Sequence, residues 1–128
     1  MPYSPLASGR LARTQWDGDS VRSKTDTFAK AKYDHTKDHD LGVVARVKEL
    51  SEKYHCKMSE LSLAWLWHKG VASPIVGAGK LSHIDDAVNA LEIKLTDEDV
   101  AYLEELYYPH PVVGALSKNY EAKPAFIK

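Results

Sequence analysis

With 128 residues, 44% of them hydrophobic and 27% charged, the chain carries enough apolar material for one modest core. Seven glycines, six prolines and a single cysteine exclude a collagen, a disulfide-framed secreted module and a wholly disordered chain. Seventeen basic side chains against eighteen acidic ones give a net charge of -1, and the balance is local, with 7 against 6 in residues 1–40 and 10 against 12 in residues 41–128. No single-sign field is available to attract nucleic acid.

The chain opens Met-Pro-Tyr-Ser-Pro-Leu, a start without the apolar core of a secretion signal. No apolar run approaches the roughly 20 residues that span a bilayer, so no membrane partner is expected. Cys56 has no second cysteine to pair with, which suits a reducing, cytoplasmic setting. It reads as a small packed side chain.

Residues 3–11 form a turn-rich stretch, with Pro5 and Gly9 flanking Leu6 and Ala7. Residues 12–40 read as a long loop with one short helical turn, holding Asp17-Gly18-Asp19 and the isolated Trp16, Phe28 and Tyr33. From Asp40, a capping residue, Val43, Val47, Leu50 and Tyr54 recur at helical spacing, with Arg46, Lys48, Glu49, Glu52 and Lys53 on the other face. Residues 61–67 follow, apolar on nearly every side and closed by Gly70 as the residue after the helix. Such a helix, with Trp65 and Trp67 in it, must be covered by other elements.

Residues 71–77 give the best strand, centred on Ile75 and Val76. After Gly77-Ala78-Gly79-Lys80, Ser82 is placed to cap a helix with Asp85 three residues on, and Ile84, Val88 and Leu91 make its apolar stripe. Thr96 and Asp99 form a second capping box for a helix carrying Val100, Leu103, Leu106 and Tyr107, which stops before Pro109. Residues 109–128 are a poorly patterned tail, expected as coil or one short turn. One strand cannot make a sheet, so the pattern reads as βα units whose neighbouring strands lie elsewhere.

Two segments carry chemistry. Ser73-Pro74-Ile75-Val76-Gly77-Ala78-Gly79-Lys80 ahead of a helix suits an anion, because small residues let backbone N–H groups approach, the helix start is positive, and Lys80 adds a full charge. The same glycines equally suit an ordinary βα turn, and the spacing is neither GxxxxGK[ST] nor GxGxxG. Asp85 and Asp86 would repel a phosphate placed too close. In Tyr3-Ser4-Pro5-Leu6 with Ser8, a ring beside two hydroxyls could receive a planar heterocycle, or the tyrosine could simply pack. The six histidines give no metal signature. His35 and His39 read as part of a solvated loop.

These residues, taken in order, resemble the aldo-keto reductase family. Tyr3-Ser4-Pro5-Leu6-Ala7-Ser8-Gly9-Arg10-Leu11 looks like the loop after that family's seventh barrel strand, and Leu61-Ser62-Leu63-Ala64-Trp65-Leu66 resembles the helix before its eighth. Ser73 to Lys80, Leu91-Glu92 and Leu95-Thr96-Asp97-Glu98 continue the match, which covers roughly residues 2–108. The resemblance implies an incomplete (β/α)8 TIM-barrel fragment of α/β class, helix-rich with one or two short strands. It covers only the carboxy-terminal portion of an enzyme of roughly 250 residues. A nearly all-helical cluster, with residues 73–77 extended but unpaired, is the alternative.

The family reduces aldehydes and ketones with NADPH, without a metal. By that resemblance Tyr3 stacks on the nicotinamide, and Ser4, Leu6 and Ser8 line the pyrophosphate side. Gly77, Ala78 and Lys80 fall in the stretch that grips the 2′-phosphate. His83 stands where arginine or glutamine is common, Asp86 matches an acidic residue near the adenine, and Ala87 replaces the usual asparagine. The family's aspartate, tyrosine, lysine and histidine tetrad has no counterpart here, so the chain by itself is expected to be inactive, a cofactor-binding part whose complete enzyme takes a small carbonyl substrate. Its apolar helix at residues 61–67, if left uncovered, would drive self-association or binding to a partner, which makes a non-catalytic association module the alternative reading.

Overall fold

The computed structural model describes residues 1–16 and 25–110. Among these residues five α-helices follow one another: α1 (Thr27–Tyr33), α2 (Lys37–Lys53), α3 (Met58–His68), α4 (Leu81–Asn89) and α5 (Asp97–Glu104). Short 3-10 segments lie at Ala7–Ala12, Asp34–Thr36 and Ala90–Glu92. The tail at residues 111–128 and part of the expected loop, residues 17–24, lie outside the described residues.

α1, α2 and α3 have legible starts or stops. Asp26 caps α1 by accepting from the Ala29 N–H at 2.9 Å. α2 begins at Lys37, ahead of the expected cap Asp40, and carries Asp38 and Asp40 in the first turn near its positive end. It ends with His55 in the left-handed region at φ 52°, where the His55 N–H reaches the Glu52 carbonyl and the Cys56 N–H the Ser51 carbonyl. α3 ends the same way through Gly70, at φ 79°, as expected for a residue that must turn the chain left-handed.

α3 forms the centre of the core. Leu61 and Leu63 are 0% and 1% exposed. Against α3 and one another pack Val44, Val47 and Leu50 of α2, Val100 and Leu103 of α5, and Trp16 and Leu95. Trp65 and Trp67 are half-buried, less covered than expected. The Trp65 indole donates to Glu104 at 2.9 Å. Among the described residues, no helix is long and apolar enough to cross a membrane.

The α/β partial-barrel expectation does not hold. Among the described residues there is no strand, and residues 71–77 contribute one isolated parallel bridge, Tyr3 to Ile75, with the Ile75 N–H donating to the Pro2 carbonyl at 2.9 Å. A strand exists only as a ladder, and a single bridge cannot build one. The fold is a helical cluster. It differs from the all-helical alternative in that Ile75 is paired.

Three local expectations also change. The loop expected at residues 12–40 contains α1 and the Asp34–Thr36 turn, and His39 lies within α2 with its ring stacked on Tyr108. α4 starts at Leu81 with Lys80 as its N-cap and no side-chain cap bond, so Ser82 does not cap it. Thr96 does cap α5, accepting from the Asp99 N–H at 3.2 Å. The Asp99 carboxylate, however, turns away to Lys53 and Tyr54.

Candidate functional site

The Tyr3–Ile75 bridge sets the two candidate ligand-facing loops side by side, because Ile75 stands only two residues before Gly77. The first loop is wound tightly. Ser4, Ala7 and Ser8 have φ of 57°, 48° and 54°, followed by Gly9 at 87°. Left-handed backbone costs a non-glycine residue about 1 kcal/mol or more, so three such residues in five make this the most strained stretch among the described residues. Hydrogen bonds from the Ala7 N–H to the Ser4 carbonyl (3.0 Å) and from the Gly9 N–H to the Leu6 carbonyl (2.8 Å) hold the turns.

Tyr3 is 68% exposed. Lys32 donates to its hydroxyl at 3.0 Å and places its ammonium 4.7 Å from the ring centre. The bond to Tyr3 is the main reason the Lys32 pKa is raised. Lys32 lies in the segment read as a loop, and only the discovery of α1 there brings it to the site.

In the second loop Gly77, Ala78, Gly79, Lys80 and His83 are all exposed. A Cβ placed on Gly77 or Gly79 would meet nothing within 4 Å. The first turn of α4, free of a side-chain cap, presents its N–H end beside the Lys80 cation. These features fit an anionic group such as a phosphate.

Asp86 is committed elsewhere. Its carboxylate pairs with Lys57, just before α3, and its side chain is 13% exposed. Asp86 is also the largest reason the Lys57 pKa is raised. Asn89 adds a second polar tie between α4 and α3 through Glu60 at 3.2 Å. An adenine contact from Asp86 would have to compete with Lys57, a partner that sequence spacing gave no means of finding.

The remaining polar clusters serve the fold. Lys53 at 2.7 and 2.9 Å and the Tyr54 hydroxyl at 2.6 Å hold Asp99 between α2 and α5, and these bonds keep its carboxyl below the usual range. Lys69 first, then Trp65, lower Glu104 likewise. Burial pushes the Cys56 thiol up, away from a reactive thiolate. A groove of about 160 Å³ between α3 and the Ala90–Glu92 turn is lined by Trp67, Leu91, Ile93 and Leu95 among others, and holds none of the candidate cofactor residues. Among the described residues, no group of three or more His, Cys, Asp or Glu is placed to hold a metal ion.

Comparison with known proteins brings these features together. The model of the aldo/keto reductase family matches residues 1–108. A Schizosaccharomyces pombe protein named as an aryl-alcohol dehydrogenase is 41% identical over 120 residues, 91% of this chain and 32% of that protein. The aldo-keto reductase dtxS3 of Metarhizium robertsii is 39% identical, over 89% of this chain and 30% of its own length. Versiconal hemiacetal acetate reductase of Aspergillus parasiticus is 34% identical, over 88% of this chain and 33% of its own. The chain therefore spans about a third of the length of the curated relatives it matches.

Proposed function

Because the chain belongs to the aldo/keto reductase family, we propose that its two juxtaposed loops are the cofactor-holding part of an NADP-dependent carbonyl reductase. The observation that carries this reading is the bridge between Tyr3 and Ile75, which makes neighbours of two segments 72 positions apart. The residues divide the cofactor between them. The Tyr3 ring stacks on the nicotinamide, while Ser4, Leu6 and Ser8 line its pyrophosphate. Gly77 and Ala78 let backbone approach the 2′-phosphate, and Lys80 with the α4 start supplies positive charge there. His83 adds charge only when protonated, and Asp86 reaches the adenine side by exchanging Lys57 for it.

The bound nicotinamide supplies the hydride for a small carbonyl substrate. Hydride transfer further requires a proton donor held against the carbonyl, and no residue of this chain matches the family's tetrad. The chain alone is accordingly assigned binding without turnover. Titration with NADPH, followed by the nucleotide's fluorescence, is expected to saturate, and Lys80→Ala should weaken it about tenfold, the loss of one charge-assisted phosphate contact. Unchanged binding in Lys80→Ala would overturn the phosphate assignment. Reduction of an activated aldehyde above a purified blank would overturn the assignment of inactivity.

A second reading has its own support. Ile75, Leu81, Ile84, Val88 and Leu91 are all about half exposed or more, an apolar surface that would drive association of copies of the chain. Sedimentation across a concentration series is expected to show a mass that rises with concentration. A strictly monomeric species would remove this reading.

A further inference from the structure

We propose that Arg10 is the positioning residue of the strained loop, holding residues 4–9 in the one backbone shape that receives the cofactor's pyrophosphate; this rests on the cofactor reading above. Arg10 is the most deeply buried residue of the 3-10 segment, 6% exposed, in a loop whose other members are at least partly open. A buried guanidinium is retained only where its charge and its donors are matched. Here one carboxylate matches the charge and two of the donor nitrogens. Nε donates to Asp34 at 2.9 Å, and Nη2 donates to the same carboxylate.

Two aromatic rings also lie against the guanidinium. The guanidinium carbon lies 5.4 Å from the Trp16 ring centre and 5.1 Å from that of Tyr33, within the range of cation–π attraction. The Trp16 indole closes the arrangement by donating to the Arg10 carbonyl at 3.2 Å. One side chain thus fastens the loop to the Asp34–Thr36 turn, to the end of α1 and to the core indole. The left-handed Ser4, Ala7 and Ser8 are local conformations that would relax if free, and strain of this kind persists only where surrounding contacts over-determine it. Arg10 supplies those contacts without belonging to the set of residues assigned to touch the cofactor.

Lysine keeps the charge but has neither the fork nor the flat faces, so Arg10→Lys separates charge from positioning. Amide hydrogen exchange measured by mass spectrometry is expected to quicken at least tenfold in residues 4–9 of Arg10→Lys, with α2 and α3 unchanged. The NADPH dissociation constant should rise about tenfold in the same variant. Adding Ala7→Gly, which removes a left-handed penalty at a position with no assigned contact, should restore at least part of that affinity, a rescue that general destabilisation would not give. Should Arg10→Lys also lose protection in α3, Asp34→Asn, which removes the partner and keeps the arginine, takes its place with the same expectations. Unchanged exchange in residues 4–9, with NADPH still binding, overturns the role of Arg10 alone. Faster exchange without any change in affinity overturns it too. A wild-type chain that binds no NADPH overturns the cofactor reading, and with it this one.

Discussion

Val44, Val47 and Leu50 on α2, and Ile84, Val88 and Leu91 on and just after α4, both recur at helical spacing. The first three are 2–4% exposed; the second three are 50%, 57% and 47% exposed. α2 meets α3 and α5, which close over its stripe and add ion pairs at the rim. α4 is tied to α3 by polar links, Lys57 to Asp86 and Asn89 to Glu60, while its apolar stripe faces outward. The contrast separates two properties that are often treated as one. An amphipathic pattern specifies which face of a helix is to be covered, and the presence of a partner decides whether it is.

The sharpest way to break this comparison is to shorten one side chain in each region. Leu61→Ala should cost about 3 kcal/mol, from lost transfer energy and the cavity left behind. Val88→Ala, at an exposed site, should cost less than about 0.5 kcal/mol. Urea denaturation of both variants checks this, and equal losses would mean that the two regions are not different after all.

The next largest effect tests the rim of the closed region. Asp99→Asn removes the carboxylate that joins Lys53 and Tyr54 and should cost about 2 kcal/mol. The sign with pH follows from its depressed folded pKa. The contribution is present above the ordinary aspartate value of 3.8 and is lost as pH falls through the lower folded value. Thermal melts of the wild-type chain should therefore fall below about pH 4. Asp99→Asn should flatten that fall in part, leaving the share of Glu104, which is lowered too.

A further expected effect, smaller than the losses at Leu61 and Asp99, is a gain. α2 and α3 end in the same hydrogen-bond pattern, one through His55 and the other through Gly70, both at positive φ. His55→Gly should stabilise by about 1 kcal/mol, since only the histidine carries the left-handed penalty. A raised melting temperature would sharpen the comparison by showing that strain at this turn is structural and removable, unlike that assigned to residues 4–9.

Much of the fold was legible because its causes are local. The capping hydroxyl of Thr96 and the glycine stop of α3 could be read from residues within a few positions of one another, as could the stripe of α2 at Val47 and Leu50; its first buried member is Val44, not the Val43 expected. α1 was missed because its seven residues are too few for a periodic stripe, and its cap Asp26 looked like one polar residue among many. Ser82 was read as a cap from its type, while the helix actually starts at Leu81. Of the candidate site, the two loops could be named, and the family resemblance carried their roles. Their adjacency could not be named, nor could Lys32 at Tyr3, Arg10 at Asp34 or Lys57 at Asp86, because each pair is at least 24 positions apart.

The amino-acid order on its own determined the family and the approximate places of four of the five helices among the described residues, since periodicity and caps act over one or two turns. Only the tertiary structure decided that residues 71–77 make a single bridge in place of a strand, that α4 leaves its apolar face uncovered, and that Arg10 is buried against Asp34, Trp16 and Tyr33. Those outcomes depend on which distant groups are present to complete a ladder, cover a stripe or neutralise a charge, and contacts of that kind leave no period in the sequence.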